Sequence, residues 1–475
     1  MTAEPVSTSV VEARPPFWAT VKEAVRGAEG RDFTEGPIAT ALLLLAIPMV
    51  LEVALESVFA VVNVFWVNRL GAEAVAVVGL TEAMLSTIYA LGMGLGIGAT
   101  AMVARRIGAK EPDGASRAAV QAILLGVLVA IPIAVFGAHY APDLLRLMGA
   151  GSDVVAAGSG FTRIMFLGNG SILLLFLINA IFRGAGDAAV AMRCLWIANI
   201  SNLILDPVLI FGLGPIVPMG VKGAAVATTV GRGIGVLYQF YRLAGKDRRF
   251  VIERRHLRLD FGVIRTLVSL SGTGIIQILI GTTSWIGLVR IVATFGATAV
   301  AGYTVAIRII LFALLPSWGL SNAAATMVGQ SLGAGKPERG ETAVWRAGFL
   351  NLCFLGGFGL FLLLLAPWIV AIFSQDPGVV SIATSGLRVV SLGFPFYAYG
   401  MVLSQSFNGA GDTRTPTWLN VICFWLWEIP LAYFLAKVAG VGPLGVFIAI
   451  TVAFSTLAIL SAVLFRKGAW KTQAV

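Results

Sequence analysis

Long apolar stretches, separated by short polar turns, run along almost the whole chain. A helix needs about 20 mostly apolar residues to cross the hydrocarbon core of a bilayer. About twelve stretches meet that length, at residues 38–66, 77–103, 118–138, 161–182, 190–213, 221–242, 266–292, 299–328, 346–373, 386–407, 417–437 and 443–465. The pattern therefore predicts an all-α polytopic membrane protein with about twelve transmembrane helices.

The composition supports this class and excludes three others. The chain has 475 residues, of which 58% are hydrophobic and 12% are Asp, Glu, Lys or Arg. A soluble globular domain has about twice that charged share, and a disordered chain has low hydrophobicity. Three cysteines are too few for a disulfide framework. The chain is therefore expected to fold within a lipid bilayer.

The net charge of +10 comes mostly from one side of the predicted membrane. About three quarters of the 34 Lys and Arg residues fall on the side that carries both termini, and the largest group lies between residues 242 and 265. Basic loops are retained in the cytoplasm during membrane insertion. The distribution predicts a multi-pass protein of the plasma (inner) membrane with both termini in the cytoplasm, and it argues against a nucleic-acid partner.

Three short sequence blocks occur twice at one offset of 225 residues. The pairs are residues 71–76 with 296–301, 99–103 with 324–328, and 182–187 with 407–412. The chain is therefore interpreted as two pseudo-symmetric six-helix lobes in the same orientation, an arrangement found in many transporters. A rocking transporter is favoured over a rigid bundle. The predicted domains are a cytoplasmic N-terminal segment (1–37), an N-terminal lobe (38–243), a basic cytoplasmic linker (244–265), a C-terminal lobe (266–466) and a cytoplasmic tail (467–475).

Two local motifs have structural interpretations. The repeated Gly-Ala-Gly-Asp sequence at 184–187 and 409–412 predicts tight turns, because glycine adopts positive φ and Asp caps a following helix. In the N-terminal segment, Phe17, Trp18 and Val21 either form a short interfacial helix or belong to a disordered tail. Neither motif indicates a ligand.

Ionisable side chains at membrane depth are costly, so each one is a functional candidate. In the first helix, Glu52, Glu56 and Asn63 have spacings of four and seven residues, which place them on one face. Pro48 precedes them in the same helix. Because proline cannot donate the helical hydrogen bond, Pro48 predicts a helix bend.

The fifth and sixth helices carry further oxygen-bearing side chains. Asn202 and Asp206 lie one turn apart, Pro207 deprives a nearby carbonyl of its helical donor, and Thr228 follows in the sixth helix. Carboxylate, amide, hydroxyl and carbonyl oxygens suit a hard cation such as Na⁺, or a proton site. We therefore expect coupling to H⁺ or Na⁺ at these residues, with no other cofactor.

Simpler interpretations compete with this one. Asp206 is able to pair with Arg232, and Glu82 with Arg308 as a lock between the lobes. Thr228 is equally suited to helix packing. These alternatives stay open at the level of the sequence.

The second half is poorer in acids, so cation coupling is expected in the first. Glu428 in the eleventh helix lies beside Trp425 and Trp427 and is interpreted as an isolated interfacial acid. Aromatic residues of the second half are weak candidates for a wall that binds flat organic cations. The residues assigned to a substrate cavity are Glu52, Glu82, Gln277, Arg308 and Tyr399.

Five pieces of sequence then occur in a specific order and spacing. They are residues 62–67 behind Pro48, and residues 99–108, 183–187, 202–207 and 223–228. On these pieces the chain resembles a multidrug and toxic compound extrusion (MATE) transporter over essentially the whole membrane region. The resemblance implies a twelve-helix, two-lobe antiporter that exports organic cations or other amphipathic compounds in exchange for Na⁺ or H⁺.

The resemblance also implies a cation site, with Na⁺ as the candidate metal, in the N-terminal lobe. That site maps here to Asn63, Asn202, Asp206 and Thr228. The family usually has Asp where this chain has Asn63, which neither titrates nor carries charge. Three explanations are open: Glu56 takes over as the titrating group, Asp206 suffices alone, or the residue is a substitution that traps one state. We expect Asp206 to be the central coupling acid and Glu56 its partner.

Two other classes compete with an antiporter. A lipid or lipid-linked precursor flippase of the same superfamily needs a strongly cationic cavity, whereas acids outnumber bases in the first lobe; Arg232, Arg290 and Arg308 keep this alternative open. An enzyme is not expected, because the two histidines and three cysteines are scattered. The chain is thus predicted to be a transporter of small organic cations or amphiphiles, with a monomer favoured.

Overall fold

The computed structural model describes residues 17–28, 30–245 and 249–473, and all regular secondary structure in these ranges is helical. The helices of the first half are α1 (Phe17–Arg26), α2 (Ile38–Asn68), α3 (Ala72–Gly108), α4 (Pro112–His139), α5 (Ala141–Leu147), α6 (Ser152–Leu167), α7 (Asn169–Gly184), α8 (Ala188–Phe211) and α9 (Val221–Ala244). Parts of the predicted N-terminal segment, linker and tail lie outside the described residues.

The second half has the same order of long helices. They are α10 (Phe261–Ala293), α11 (Ala297–Gly333), α12 (Pro337–Phe373), α13 (Pro377–Ala410), α14 (Arg414–Asn420), α15 (Ile429–Tyr433) and α16 (Pro443–Lys467). Two π-helical segments, Val421–Glu428 and Phe434–Val438, flank α15. Helices α14 and α15 with these segments form one continuous span.

The described helices assemble into twelve spans when the broken ones are joined. Helices α6 and α7 form one span that breaks at Gly168. Eleven spans in the described ranges are long and apolar enough to cross a membrane. Helix α9 is the twelfth and is less apolar, because it carries Lys222, Arg232 and Arg242. The predicted all-α fold is therefore confirmed.

Some predicted boundaries were wrong. Helix α3 extends beyond the predicted stretch 77–103 at both ends, and the fourth span begins at Ser152. The eleventh span contains π-helical turns, which the apolar pattern does not indicate. The apolar pattern marks the part of a helix that lies within the hydrocarbon core and misses its polar ends. The 37 residues of α3 correspond to about 55 Å of helix, which is longer than that core. Helices of that length extend well beyond the hydrocarbon core.

The two lobes share their buried core at one end of the bundle only. We name this the basic end; there α3 and α11 finish, α4 and α12 begin, and Arg105 and Lys336 are located. One hydrophobic cluster at this end joins Leu42 and Met49 of α2 to second-half residues such as Met327. Another joins first-half helices to α10. Farther away, each of the two large clusters in the described residues belongs to a single half.

A pseudo-symmetric crossing of α3 and α11 forms the centre of the basic end. A Cβ atom at Gly108 would overlap the carbonyl oxygen of Gln330, and a Cβ at Gly333 would overlap that of Arg105. Arg105 donates to the carbonyl of Ala410 at 3.3 Å, and Gln330 donates to the carbonyl of Gly184 at 3.0 Å. Gly108 and Gly333, and also Arg105 and Gln330, correspond at the offset of the internal repeat. The halves are therefore parallel repeats in contact about a common axis.

The repeated Gly-Ala-Gly-Asp motifs form turns, but the two are not equivalent. Gly186 and Gly411 have φ of +84° and +88°, as expected for a tight turn. Asp412 accepts hydrogen bonds from the backbone N–H of Thr415 at 3.1 Å and from its hydroxyl at 2.6 Å. Asp187 does not cap α8 with its side chain. The predicted capping role is thus confirmed in the second half only.

Residues 30–37, which we name the strap, cross the basic end between α1 and α2. Arg339 at the start of α12 donates to the carbonyls of Phe33 at 3.0 Å, Glu35 at 2.7 Å and Gly36 at 2.9 Å. Lys336 donates to the Thr34 carbonyl at 3.2 Å. The strap is therefore held by the second half of the chain.

The strap is also held by the first half. Asp32 pairs with Lys110, at the end of α3, at 3.3 Å. Partial burial opposes ionisation of Asp32, but hydrogen bonds from Thr34 and the ammonium of Lys110 lower its pKa below the ordinary value. The Phe33 side chain is buried and lies under the Arg249 guanidinium. The strap thus bridges both lobes.

Helix α1 leads into the strap. Its existence at residues Phe17–Arg26 confirms the helical alternative for this segment. Phe17 and Trp18 are exposed, whereas Thr20 and Ala24 are buried against the bundle. An interfacial position for α1 stays a prediction.

We expect Arg339→Ala to release the strap from the second lobe. Four hydrogen bonds from one guanidinium would be lost, and bonds to charged groups are worth about 1.5–3 kcal/mol when buried. Because Arg339 is partly exposed, we expect at least about tenfold faster amide hydrogen exchange at residues 30–37, equivalent to about 1.4 kcal/mol. The matched control is Arg346→Ala on the exposed face of α12. Unchanged exchange in the Arg339 variant would contradict this role.

Candidate ion-coupling site

Close contact between α8 and α9 positions the candidate site. A Cβ atom at Gly231 would lie 2.8 Å from the carbonyl oxygen of Ala198, and one at Gly223 would overlap that of Leu209. Gly235 likewise faces Ala198. Small residues on one helix allow the neighbouring backbone to approach closely. This contact brings the side chains of α8 against Thr228 of α9.

Asn202, Asp206 and Thr228 form one hydrogen-bonded cluster. When the Asn202 amide is oriented by its partners, its nitrogen donates to Asp206 Oδ2 at 3.1 Å. The amide oxygen then accepts from the backbone N–H of Thr228 at 3.0 Å and from its hydroxyl at 3.1 Å. The structure therefore brings together three of the predicted ion-site residues.

The Asp206 carboxylate is buried without a cationic partner in the described part of the chain. Asp206 is 1% exposed, and among the described residues its carboxyl group accepts a side-chain hydrogen bond from the uncharged amide of Asn202. The alternative pairing with Arg232 is not observed, since Arg232 donates to the hydroxyl of Tyr89 at 3.0 Å. Pro207 lies inside α8 and leaves the Leu203 carbonyl without its helical donor. The cluster therefore offers oxygen atoms and one carboxyl group without a cationic partner in the described residues.

Asn63 lies at the depth of this cluster but outside its hydrogen bonds. Helices α2 and α8 run in the same direction from the basic end, and the rings of Trp66 and Phe211 are 6.1 Å apart. Three residues before Trp66, Asn63 is thus level with the turn that follows Asp206. Among the described residues, Asn63 makes no hydrogen bond with the other three. Its place in an ion site stays a prediction.

Glu56 was expected to be the partner of Asp206, but the charged group that acts most strongly on it is Arg232. The charges of Glu56 and Glu82 act on Arg232 of α9, which also lies over the Tyr89 ring. Arg232 Nη1 is buried without a hydrogen-bond partner. No ion pair within 4 Å joins Glu82 to Arg308 in the described chain, so the lock between lobes is not observed. Glu56 and Glu82 instead lie within electrostatic range of the Arg232 guanidinium, and neither forms an ion pair with it within 4 Å in the described residues.

Glu52 lies in a buried ion pair with Arg183. Its side chain is 5% exposed, and Arg183 Nη1 lies 2.8 Å from its Oε1. Asn179 donates to the same oxygen at 3.1 Å, and Gln239 donates to Asn179 at 2.8 Å. The cavity position expected for Glu52 stays a prediction; in this structure its Oε1 is bound by Arg183 and Asn179.

The remaining residues assigned to a substrate cavity are not brought together. Tyr399 packs between α12 and α13 against Gly348 and Trp345. Gln277 is buried on α10, and Arg308 is exposed on α11. The cavity prediction rested on polar residues in apolar helices, and that criterion does not distinguish a helix face that packs within a lobe from one that lines a cleft.

Glu428 is a buried acid whose environment was predicted wrongly. Its side chain is 0% exposed, whereas Trp425 and Trp427 beside it are about half exposed. The interfacial interpretation followed the neighbouring tryptophans, but Glu428 points to the opposite face of the span, into the second lobe. The sequence signal for a buried acid was available, because Glu428 is a single carboxylate within the otherwise apolar stretch 417–437.

Comparison with known proteins agrees with this architecture. The chain is 29% identical, over 92% of its length and 93% of the relative's, to a probable multidrug resistance protein NorM of Caulobacter vibrioides. It is 24% identical, over 85% and 90% of the two lengths, to an FAD transporter of Shewanella oneidensis. An outward-facing structure of a multidrug resistance MATE family transporter of the MOP superfamily matches with a TM-score of 0.86, 27% identity and coverage of 93% and 98%.

The family match covers both halves. The MatE profile matches residues 48–208 and again residues 274–434, so each lobe contains one copy. These two matches cover more than half of the chain and coincide with the internal repeat. The chain is a multi-pass membrane protein that belongs to the MatE family of transporters.

Proposed function

We propose that the protein is a secondary active antiporter of the plasma membrane that exports organic cations or amphipathic compounds in exchange for H⁺ or Na⁺. The observation that carries this proposal is the buried Asp206 carboxylate with Asn202 and Thr228 and without a cationic partner. A buried carboxylate without compensation is costly. Binding of a cation or proton removes that cost, so it changes the relative stability of the conformations that bury the site.

The connection of the lobes supports alternation by rocking. The lobes are packed together at the basic end and have separate cores farther away. We assign the basic end to the cytoplasm, since basic segments are retained there. The arrangement then corresponds to an outward-facing state, and the inward-facing state requires separation of α3 from α11.

The balance of charge favours cationic or zwitterionic substrates over anionic lipids. Arg232 in the first lobe faces two carboxylates, Glu56 and Glu82. A flippase for lipid-linked pyrophosphates needs an excess of cations in its cavity. The similarity to an FAD transporter keeps anionic compounds among the substrates to be tested.

The decisive experiment uses purified protein in proteoliposomes with Na⁺ and pH gradients applied separately. Export of a fluorescent organic cation driven by either gradient supports antiport and identifies the coupling ion. Absence of transport under both gradients, with the protein folded and correctly inserted, would refute the proposed antiport of cations. Transport of FAD alone would replace organic cations by anions as the substrate class.

We expect Asp206→Asn to abolish gradient-driven export. The substitution retains the shape of the side chain but removes its negative charge, so that cation binding no longer changes the electrostatic energy of the site. Export should fall to the rate measured without a gradient, at unchanged expression. Asp153→Asn, which alters an exposed acid on α6, serves as the control. Normal export by the Asp206 variant would eliminate this residue as the coupling acid.

We expect Asn63→Asp to strengthen cation binding. Asn63 is level with the Asp206 cluster, so a second carboxylate there adds attraction for Na⁺. We expect the Kd for Na⁺, measured by calorimetry, to fall by about tenfold or more. Asn68→Asp at the exposed end of α2 is the matched control. An unchanged Kd would favour Glu56 as the residue that replaces the missing charge.

A further inference from the structure

A second buried carboxylate lies in the other lobe. Glu428 ends the π-helical segment Val421–Glu428, two residues before Pro430. Its side chain is 0% exposed, and both of its carboxyl oxygens lack hydrogen-bond partners in the described residues. An ionised carboxylate in that state would have lost its hydration without compensation. The group therefore needs a ligand that the surrounding side chains do not supply.

Two phenol hydroxyls close to Glu428 also lack hydrogen-bond partners in the described residues. Tyr303 of α11 and Tyr397 of α13 are 3% and 2% exposed, and neither hydroxyl has a partner in hydrogen-bonding geometry in the described chain. The Thr451 hydroxyl lies near that of Tyr397 but donates to the carbonyl of Phe447 at 2.9 Å. Both rings lie within electrostatic range of the carboxylate. Buried polar groups without partners call for an explanation, and here three of them, contributed by three spans, lie near one another. Their proximity indicates a site.

The cavity at Glu428 is small and has apolar walls. Trp285, Ile307 and Phe454 are among its lining residues, together with Tyr397. Its volume of about 20 Å³ is sufficient for one water molecule. A drug-sized compound needs several hundred Å³, so the cavity does not hold the exported substrate.

The groups that face Glu428 are all uncharged. They are Ser284 of α10, Tyr303 of α11, Tyr397 of α13 and Cys423 of its own span, while α16 contributes Phe454. The Ser284 hydroxyl is engaged by the carbonyl of Gly281 at 3.0 Å. A desolvated metal cation prefers a larger shell of oxygen ligands than one carboxyl and two phenols provide. A proton needs no such shell.

We propose that Glu428 is a second proton-binding site of the transporter, in the lobe opposite to the Asp206 cluster. A proton on one carboxyl oxygen removes the charge and supplies a donor. One water molecule in the cavity then connects the carboxyl group to the hydroxyl of Tyr397. This inference rests on the proposed antiport and adds a second ionisable group to it.

The π-helical turns provide a way to exchange that proton. A π-helical turn contains one residue more than an α-helical turn, and such turns occur frequently at functional sites. Conversion to α-helical register rotates the adjoining segment by about 100° per residue. Since Glu428 lies at the junction of Val421–Glu428 with α15, such a rotation would move it out of its present surroundings. Proton exchange is thereby linked to a rearrangement of the eleventh span.

Infrared difference spectroscopy of the purified full-length protein tests this site directly. Spectra at stepped pH should contain a carbonyl band of a protonated carboxyl group that disappears in Glu428→Gln. The band should persist in Glu338→Gln, which alters an exposed acid on α12. Persistence of every carboxyl band in the Glu428 variant would overturn the proposal.

Two further variants keep the test informative. If Glu428→Gln does not fold, Tyr397→Phe should shift the same band, because it removes one hydroxyl from the site; an unshifted band would contradict the proposal. Asp206→Asn should retain the Glu428 band whether or not it transports. Failure of the antiport proposal, seen as absence of export under both gradients, is therefore distinguishable from failure of the Glu428 site, which appears in the spectra.

Discussion

The backbone contact between α3 and α11 at the basic end is the constraint on which the rest of the structure depends. Gly108 and Gly333 each lie against a carbonyl of the opposite helix, so no other residue fits without separating the lobes. Because the two glycines are related by the repeat, one short sequence feature produces both sides of the contact. The hydrogen bonds of Arg105 and Gln330 then satisfy carbonyls at the ends of α13 and α7. The buried acids Asp206 and Glu428 lie farther from the basic end than this contact, where the two lobes have separate cores.

The two buried acids at the candidate sites differ in how their burial is compensated. Asp206 has an amide and a hydroxyl within hydrogen-bond distance, so its surroundings contain oxygen atoms able to coordinate an ion. Glu428 has phenols and apolar side chains, which leave room for little more than a proton and a water molecule. Glu52, in contrast, forms an ion pair with Arg183 at 2.8 Å. Burial alone therefore does not distinguish the candidate coupling residues; the absence of a cationic partner in the described residues does.

Much of the fold was predictable because membrane helices are specified by length and apolarity, and because the repeat at Gly186 and Gly411 fixes the relation of the halves. The cluster of Asp206 with Asn202 and Thr228 was also predictable, since the residues are few and unusual for their surroundings. The partners of Arg232, Glu52 and Tyr399 were not predictable, because the direction of a side chain depends on how helices rotate against one another. The π-helical turns before Glu428 likewise leave no periodic signal in a uniformly apolar stretch.

The strap also constrains the order in which the protein is assembled. Its carbonyls are bound by Lys336 and Arg339, which follow it by about 300 residues in the chain. During synthesis the strap therefore leaves the ribosome long before its partners, and eight spans precede the helix that binds it. Until α12 emerges, the first lobe has its strap attached only to its own half. Attachment of the strap to the second lobe therefore follows the emergence of α12.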